Sequence, residues 1–442
     1  MSENNIIRKS LKVRLYPTEE QSILLNKTFG CCRLLYNERL SEHIEWYDQN
    51  KDLPKERRPK FKGKLPKQLR EEKYEFLGEV IAEALINSQR NCEQAFSNFF
   101  QSCSGKRKGK KVGFPKFKSK KQNRDSFTLC MISENLLDWD HRTITIPKLK
   151  QVRFRHAEDK KGNWISWFRE AIPKHITVSR NPTGEYWCSI LFEKQEDICS
   201  TIKLDNATGL DFSPNSLYIN DLNEVAPNYR KAKQENQRKL TKLERRLVRK
   251  QKDSKNREKA RIKLARHEQY IANIRRDYRE KETLRLVKTY DVIGIEDLNL
   301  IGLSRMSRNA KNYLDTSWST FARRLEEKSK YNNCLVVKAD RFYPSSKTCN
   351  HCGYIKKDLK LSDRTWTCPE CGTEIIRDQN AALNLKENAI KILVDDLKST
   401  LLLEQEEVRS VEGTEAEFCN GILCGVSFEA ENQGSDALKG SL

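Results

Sequence analysis

The chain begins with a short alternating stretch. Ser10-Leu-Lys-Val-Arg-Leu-Tyr16 places apolar residues at every second position, the period of a half-buried strand, and Pro17 ends it. Thr18 and Gln21 are spaced as a capping box, in which each side chain satisfies the other residue's free backbone N–H. A helix is therefore expected through Leu24, Leu25, Leu34, Leu35 and Leu40. After a Lys- and Pro-rich loop at 51–67, a second helical stretch over 74–101 carries Ile81, Ala84, Leu85 and Phe96 on one stripe. The period then changes to two. Thr143-Ile-Thr-Ile146, Val152-Arg-Phe-Arg155 and His175-Ile-Thr-Val178 read as strands, and Asn181-Pro-Thr-Gly184 turns into another over 185–192. These strands predict a small antiparallel barrel that the N-terminal strand joins, with the first helical region as an insertion.

The second half mixes the two periods. Strands are expected at Thr208-Gly-Leu-Asp-Phe212 and Leu217-Tyr-Ile-Asn220, joined by a turn at Ser213-Pro-Asn. Residues 229–286 read as a helical hairpin broken near 253–256. A buried strand at Val292-Ile-Gly-Ile-Glu296, a helix over 318–330 and a strand at Cys334-Leu-Val-Val-Lys-Ala339 follow. A Cys-rich insert then leads to a helix over 378–393. Strands with intervening helices predict an α/β domain from about 206 to 395.

Charge changes this picture from fold to partner. The chain of 442 residues carries 83 Lys/Arg against 62 Asp/Glu, a net charge of +21. Between Arg230 and Arg285 there are 22 basic residues and 8 acidic ones. The run from Lys106 to Asp125 holds ten basic residues and one acid. Such concentrations favour a polyanion, most simply nucleic acid. From Glu404 onward the sign reverses, with nine acids and two bases, and a disordered acidic tail is expected there. The first residues hold no apolar signal core, and no apolar run approaches the ~20 residues that span a bilayer, so neither a secreted nor a membrane protein is expected.

Four of the 14 cysteines carry a pattern. Cys349-Asn-His-Cys352 and Cys368-Pro-Glu-Cys371 form two Cys-x-x-Cys pairs about fifteen residues apart, each followed by glycine. Two such knuckles fold onto one tetrahedral Zn²⁺, and a closed set of four thiolates reads as structural. His351 stands beside the second ligand and reads instead as a surface or nucleic-acid contact. Three carboxylates fall at the ends of expected elements: Asp211, Glu296 and Asp378. Each alone has a plain explanation, as a turn residue, a strand-end acid and a helix N-cap respectively. Together, in one α/β unit of a basic chain, they are the oxygen ligands that two Mg²⁺ ions need for phosphodiester hydrolysis.

These residues carry a resemblance. Gly209-Leu-Asp-Phe-Ser, Ile293-Gly-Ile-Glu-Asp-Leu, Tyr343-Pro-Ser-Ser-Lys-Thr-Cys-Asn-His-Cys-Gly, Cys368-Pro-Glu-Cys-Gly and Arg377-Asp-Gln-Asn-Ala-Ala resemble the RuvC-type nuclease of the TnpB family, over about residues 8–395. Gly113-Phe-Pro-Lys-Phe-Lys-Ser fits the family's N-terminal half. One departure is Ser213, where many members have glycine.

The resemblance implies an α+β multidomain chain: a wedge-like β-barrel (1–16 and 125–205), a helical recognition insertion (17–124), an RNase H-like (RuvC) α/β nuclease domain (206–342 and 374–395) interrupted by a zinc ribbon (343–373), and the acidic tail (396–442). It implies a transposon-type RNA-guided DNA endonuclease that cuts beside a short flanking motif. The catalytic, Mg²⁺-holding residues would be Asp211, Glu296 and Asp378, and the zinc ligands Cys349, Cys352, Cys368 and Cys371. Guide RNA and double-stranded target DNA are the expected partners, contacted by Lys116, Lys118, Lys120, Lys121, Arg245, Arg246, Arg249, Lys347 and Arg377. A monomer in a prokaryotic cytoplasm, on the nucleoid when bound to DNA, is expected. The rival readings are a nuclease-silent RNA-guided repressor and a zinc-ribbon DNA-binding protein that uses no RNA.

Overall fold

The computed structural model describes residues 6–401, apart from 108, 121–124, 131–135, 157–162, 196–198, 307–309 and 361, together with 414–419 and 422–428. The chain forms two compact units, Met1–Glu196 and Asp197–Leu442.

The first unit is built from β1 (Ile6–Tyr16), α1 (Glu19–Asn50), α2 (Pro66–Glu72), α3 (Ala82–Cys103), β2 (Asp125–Leu129), β3 (Leu137–Asp138), β4 (Thr143–Ile146), β5 (Lys150–Arg155), α4 (Asn163–Glu170), β6 (Ile172–Arg180) and β7 (Tyr186–Gln195). The strands form one seven-stranded sheet in the order β2-β6-β7-β1-β5-β4-β3. β1 joins it centrally, antiparallel to both β5 and β7. The expected barrel is an open half-barrel: among the described residues its edges, β2 and β3, do not pair with each other. β2 instead gives the Thr128 carbonyl to the side-chain amide of Asn87 on α3, at 2.9 Å, so a helix rather than a closing strand takes up its polar groups. The capping box forms as the spacing predicts, with Gln21 N–H donating to Thr18 Oγ1 at 3.3 Å and Thr18 N–H to Gln21 Oε1 at 3.0 Å. Gln21 Nε2 also donates to the carbonyls of Leu149 and Gln151, both at 2.9 Å, so the cap anchors the start of α1 on the β4–β5 hairpin. Leu25, Phe29 and Leu35 of α1 and Ala84 and Leu85 of α3 share one apolar core with Val13, Val152, Val178 and Ile190 of the sheet.

The second unit contains β8 (Cys199–Lys203), β9 (Ala207–Ser213), β10 (Leu217–Asn220), α5 (Ala232–Glu235), α6 (Gln237–Val248), α7 (Lys255–Thr289), β11 (Val292–Ile295), α8 (Leu300–Met306), α9 (Ala310–Thr316), α10 (Trp318–Ser329), β12 (Leu335–Lys338), β13 (Thr365–Thr367), β14 (Glu374–Ile376), α11 (Arg377–Leu401), β15 (Thr414–Cys419) and β16 (Ile422–Phe428). Its main sheet runs β10-β9-β11-β12, with β9–β10 antiparallel and β9–β11–β12 parallel. Alternation along the strands sorts its two faces. Leu210, Ile293 and Ile295 pack with Trp318, Phe321 and Leu325 of α10 and Leu286 and Val287 of α7. Ala207 and Val292, on the opposite face, pack with Ala389 of α11.

Two expectations change here. The stretch 199–203, expected in the barrel, pairs with β15 in the second unit. The tail expected to be disordered contains the β15–β16 hairpin, and α11 runs on to Leu401. Thr414-Glu-Ala-Glu-Phe-Cys419 alternates, and Ile422-Leu-Cys-Gly-Val-Ser-Phe428 is rich in strand-forming residues, a local signal that the net acidity of the segment masks. The remaining tail residues lie outside the described ones.

Candidate active site

Three elements bring the acids together. The last paired residues of the parallel strands β9 and β11 are Leu210 and Ile295, so Asp211 and Glu296 occupy the next position on each strand, side by side at their C-terminal ends. Gly209 and Gly294 are also register partners, each two residues before its acid and therefore on the same face. α11 lies on that face at backbone contact. A Cβ on Gly209 would collide with the Ala382 carbonyl, and one on Gly294 with the Leu385 carbonyl. Asp378 stands one helical turn before Ala382, on the same side of α11, so the close approach brings the first turn of the helix to the strand ends. The N-cap explanation of Asp378 does not hold, because Arg377 is already helical.

Asp211 feels both of the other carboxylates. Burial holds Asp211 well above the ordinary carboxylate range, and the charges of Glu296 and Asp378 push it the same way. Arg377 and Arg364 oppose that rise. Burial also raises Glu296, against the pull of the Ser345 hydroxyl, which donates to Glu296 Oε1 at 2.9 Å, and of Arg377. Arg364 reaches Asp378 Oδ2 at 3.3 Å. A carboxylate whose charge two neighbouring carboxylates disfavour suits a hard divalent cation with oxygen ligands. Ser213 does not have a positive φ, and its Oγ accepts the N–H groups of Asn215 and Ser216 at 3.4 and 3.3 Å, so the turn after Asp211 has no need of glycine.

The four knuckle cysteines meet, with their sulfurs all within 4.8 Å of one another. The Sγ–Sγ distances of 3.7 Å for Cys349–Cys371 and 3.5 Å for Cys352–Cys368 are close to the edge of ~3.8 Å implied by tetrahedral Zn–S bonds of ~2.3 Å. Both knuckles turn through glycine, at φ 76° for Gly353 and 71° for Gly372, and each glycine N–H closes its turn on the first cysteine's carbonyl at 2.9 Å. The Thr373 hydroxyl and N–H pull the Cys371 thiol down to about 6, whereas burial pushes Cys349 up, and, against the pull of the Tyr354 N–H, burial and the neighbouring sulfurs push Cys352 up to about 12. Trp366 and Ile375 complete a small core around Cys349 and Cys368. His351 is exposed and stands apart from the cluster. The set fits one zinc ion. About one zinc per chain is expected by atomic absorption, falling to near zero in Cys368→Ser, with protease cleavage appearing between 349 and 371.

The candidate nucleic-acid contacts divide. Lys116, Lys120, Arg245, Arg246 and Arg249 are exposed, and Lys121 lies outside the described residues. Lys118 is not a free surface cation. Its Nζ sits 3.7 Å from the Tyr36 ring centre, its backbone exchanges hydrogen bonds with the Asn37 side chain, and burial lowers its pKa. Lys347 Nζ donates to the Lys357 carbonyl at 3.2 Å, and the half-buried Arg377 flanks the acids. Between α6 and α7 a groove of about 510 Å³ is lined by Arg246, Lys250, Lys259, Lys263 and Arg266. Sequence reasoning singled out the charge of this hairpin but not Lys259, Lys263 or Arg266 within it. It also missed Arg364, Ser345, Asn380 and Asn384. The last two sit one turn apart in a stretch, 380–385, that is otherwise alanine and leucine, a visible signal that buried polar groups are being served.

Comparison with known proteins follows the same lines. Residues 190–307 match the family model OrfB_IS605, "Probable transposase", and residues 318–385 match "Cas12f1-like, TNB domain". Residues 2–52 match a model described as "Helix-turn-helix domain", although here they contain β1 and the single helix α1. A Streptomyces pristinaespiralis protein named "Putative RNA-guided DNA endonuclease" is 32% identical over 381 residues, 86% of this chain and 89% of its own length. "Putative RNA-guided DNA endonuclease InsQ" of Escherichia coli K12 is 29% identical, over 92% of this chain and 99% of its own. "TnpB-like protein L79" of Acanthamoeba polyphaga mimivirus is 32% identical over 31% of this chain and 27% of its own. Among solved structures, the Cas12f1–sgRNA–target DNA complex shares the fold, with a TM-score of 0.50 at 13% identity, over 86% of this chain and 99% of that one.

Proposed function

This chain belongs to the TnpB family, and from that premise we propose that it is an RNA-guided DNA endonuclease, cutting DNA beside a short flanking motif by a two-metal hydrolysis. The observation that carries the proposal is the position of Asp211 beside Glu296 on neighbouring parallel strands, with the first turn of α11 bringing Asp378 into electrostatic contact. The mixed sheet with α11 across it is read as the RuvC-like nuclease core, the Cys₄ module as its zinc-ribbon insert, and the first unit as wedge and recognition regions. Asp211, Glu296 and Asp378 would hold Mg²⁺, which when bound supplies a nucleophile at neutral pH and charge compensation at the leaving oxygen. The chain's own contribution is placement. The strand ends and the helix start are rigid elements, and they hold the carboxylates where flexible loops would let them drift apart. Arg364 and Arg377, already beside the acids, would meet an incoming phosphate and keep it against them.

Guide RNA and target DNA would be held mainly through their backbones, since base pairing reads the sequence. The α6–α7 groove is the strongest candidate surface. Replacing Lys259, Lys263 and Arg266 by Gln should flatten the plot of log affinity against log salt by ~0.7–0.9 per lost phosphate contact, measured by filter binding. The proposal as a whole is tested with purified protein and its co-purifying RNA. Plasmid DNA carrying a guide match beside the flanking motif should be cut in Mg²⁺ and spared in EDTA. A preparation that carries no stoichiometric RNA, or whose activity survives exhaustive RNase, would point to the RNA-free regulator instead.

A further inference from the structure

The loop that enters the first zinc knuckle is fastened both to Glu296 and to α11, the helix that carries Asp378. Ser345 is buried, at 4% exposure, and its hydroxyl donates to Glu296 Oε1 at 2.9 Å. The same residue's carbonyl accepts Asn384 Nδ2 at 2.7 Å and Asn380 Nδ2 at 3.5 Å. Three residues on, the Thr348 carbonyl accepts both amides at 2.7 Å, and Asn350 N–H donates to Asn380 Oδ1 at 3.0 Å. Asn380 and Asn384 are themselves buried and lie on α11, the helix that carries Asp378. The loop has little freedom of its own, because the N–H groups of Lys347 and Thr348 both return to the Pro344 carbonyl at 3.0 Å. Its far end is Cys349.

We propose that Ser345 is the positioning residue for Glu296, and that the Asn380–Asn384 pair and the zinc knuckle hold Ser345 in place, so that Glu296 and Asp378 are kept at a fixed separation through one loop. The inference rests on the nuclease reading of the acid cluster. Satisfying the buried Ser345 carbonyl and the half-buried Thr348 carbonyl explains the two asparagines by itself. It does not explain why the Ser345 hydroxyl is directed at a carboxylate of the cluster. A hydroxyl in that place orients the carboxylate by accepting no charge and offering one donor, which leaves the remaining lone pairs for a cation.

The test uses the full-length chain, stripped of nucleic acid in high salt with zinc retained, titrated with Mn²⁺ and followed by the EPR signal of the free ion. Ser345→Ala should bind Mn²⁺ about tenfold more weakly while keeping its zinc, and Ser345→Thr, which keeps the hydroxyl, should stay within about twofold of the unsubstituted chain. In a Glu296→Gln background, Ser345→Ala should add no further loss, because the group it orients is gone. The positioning role is overturned if Ser345→Ala binds normally, if it costs as much with Gln at 296 as with Glu, or if it binds weakly only because zinc has left. Mn²⁺ binding that ignores Asp211→Asn in the parent chain would remove the nuclease reading and this inference together. Asp211-dependent binding that ignores Ser345 would remove the inference alone.

Discussion

On the nuclease reading, Asp211→Ala should reduce DNA cleavage by about a thousandfold or more while leaving the bound RNA in place. The several kcal/mol that a bound metal contributes to a phosphoryl transition state are lost with its central ligand, and each ~1.4 kcal/mol is a factor of ten. On that reading Asp211 would be the centre, because the charges of both other acids act on it. The measurement is single-turnover cleavage of a labelled duplex, with RNA content read by absorbance and gel. The isosteric Asp211→Asn carries a second, opposite signature. Without divalent ions, removing a charge that burial, Glu296 and Asp378 all disfavour should raise the melting temperature. In Mg²⁺ that gain should shrink or reverse, because the ion stabilises only the parent chain. A variant that cuts at the parent rate would overturn the catalytic assignment outright.

Gly294→Ala is the second large effect, and it acts without touching a charge. The added methyl meets the Leu385 carbonyl and the Ala389 side chain. The carbonyl is part of the helical backbone of α11, which cannot swing aside as a flexible side chain could. Overpacking of this kind costs ~1–3 kcal/mol, and the strand-to-helix spacing must open to accept it. Asp378 then moves away from Asp211 and Glu296, and a misplacement of ~1 Å costs about a hundredfold in rate. The expected result is a folded, less stable protein with a severe loss of cleavage and weaker Mn²⁺ binding. Gly209→Ala should behave alike, since its methyl meets the Ala382 carbonyl and the Lys386 backbone nitrogen. Urea denaturation and cleavage are measured on the same preparations. Unchanged cleavage in both variants would show that α11 does not set the position of Asp378.

How far these features could be read from the chain differs element by element. The Thr18–Gln21 box and the two glycine-terminated knuckles are local: a few residues contain the whole physical cause, and the structure forms them as their spacing predicts. The strand before Glu296 was legible for the same reason, since the apolar run Val292-Ile-Gly-Ile295 identifies it. Closure of the first sheet was not, because pairing of β2 with β3 depends on what else competes for the β2 edge, and Asn87 of α3 does. The hairpin in the tail was not foreseen because net charge, averaged over a segment, hides the alternating apolar residues of β15. The setting of Lys118 was not legible, because a cation in a basic run looks like its neighbours until the Tyr36 ring appears beneath it.

The sequence by itself determined the chemistry available: which carboxylates and thiolates exist, their spacing along the chain, the strands and helices that carry them, and the excess of positive charge. Only the tertiary structure decided that Gly209 and Gly294 face the same helix, that Ser345 donates to Glu296, and that Asn380 and Asn384 anchor the knuckle loop. The physical reason is range. Periodicity, capping and knuckle turns are set by neighbours a few residues away, whereas strand register, backbone-to-backbone contact and a hydrogen bond between residues 49 positions apart exist only once the chain has packed.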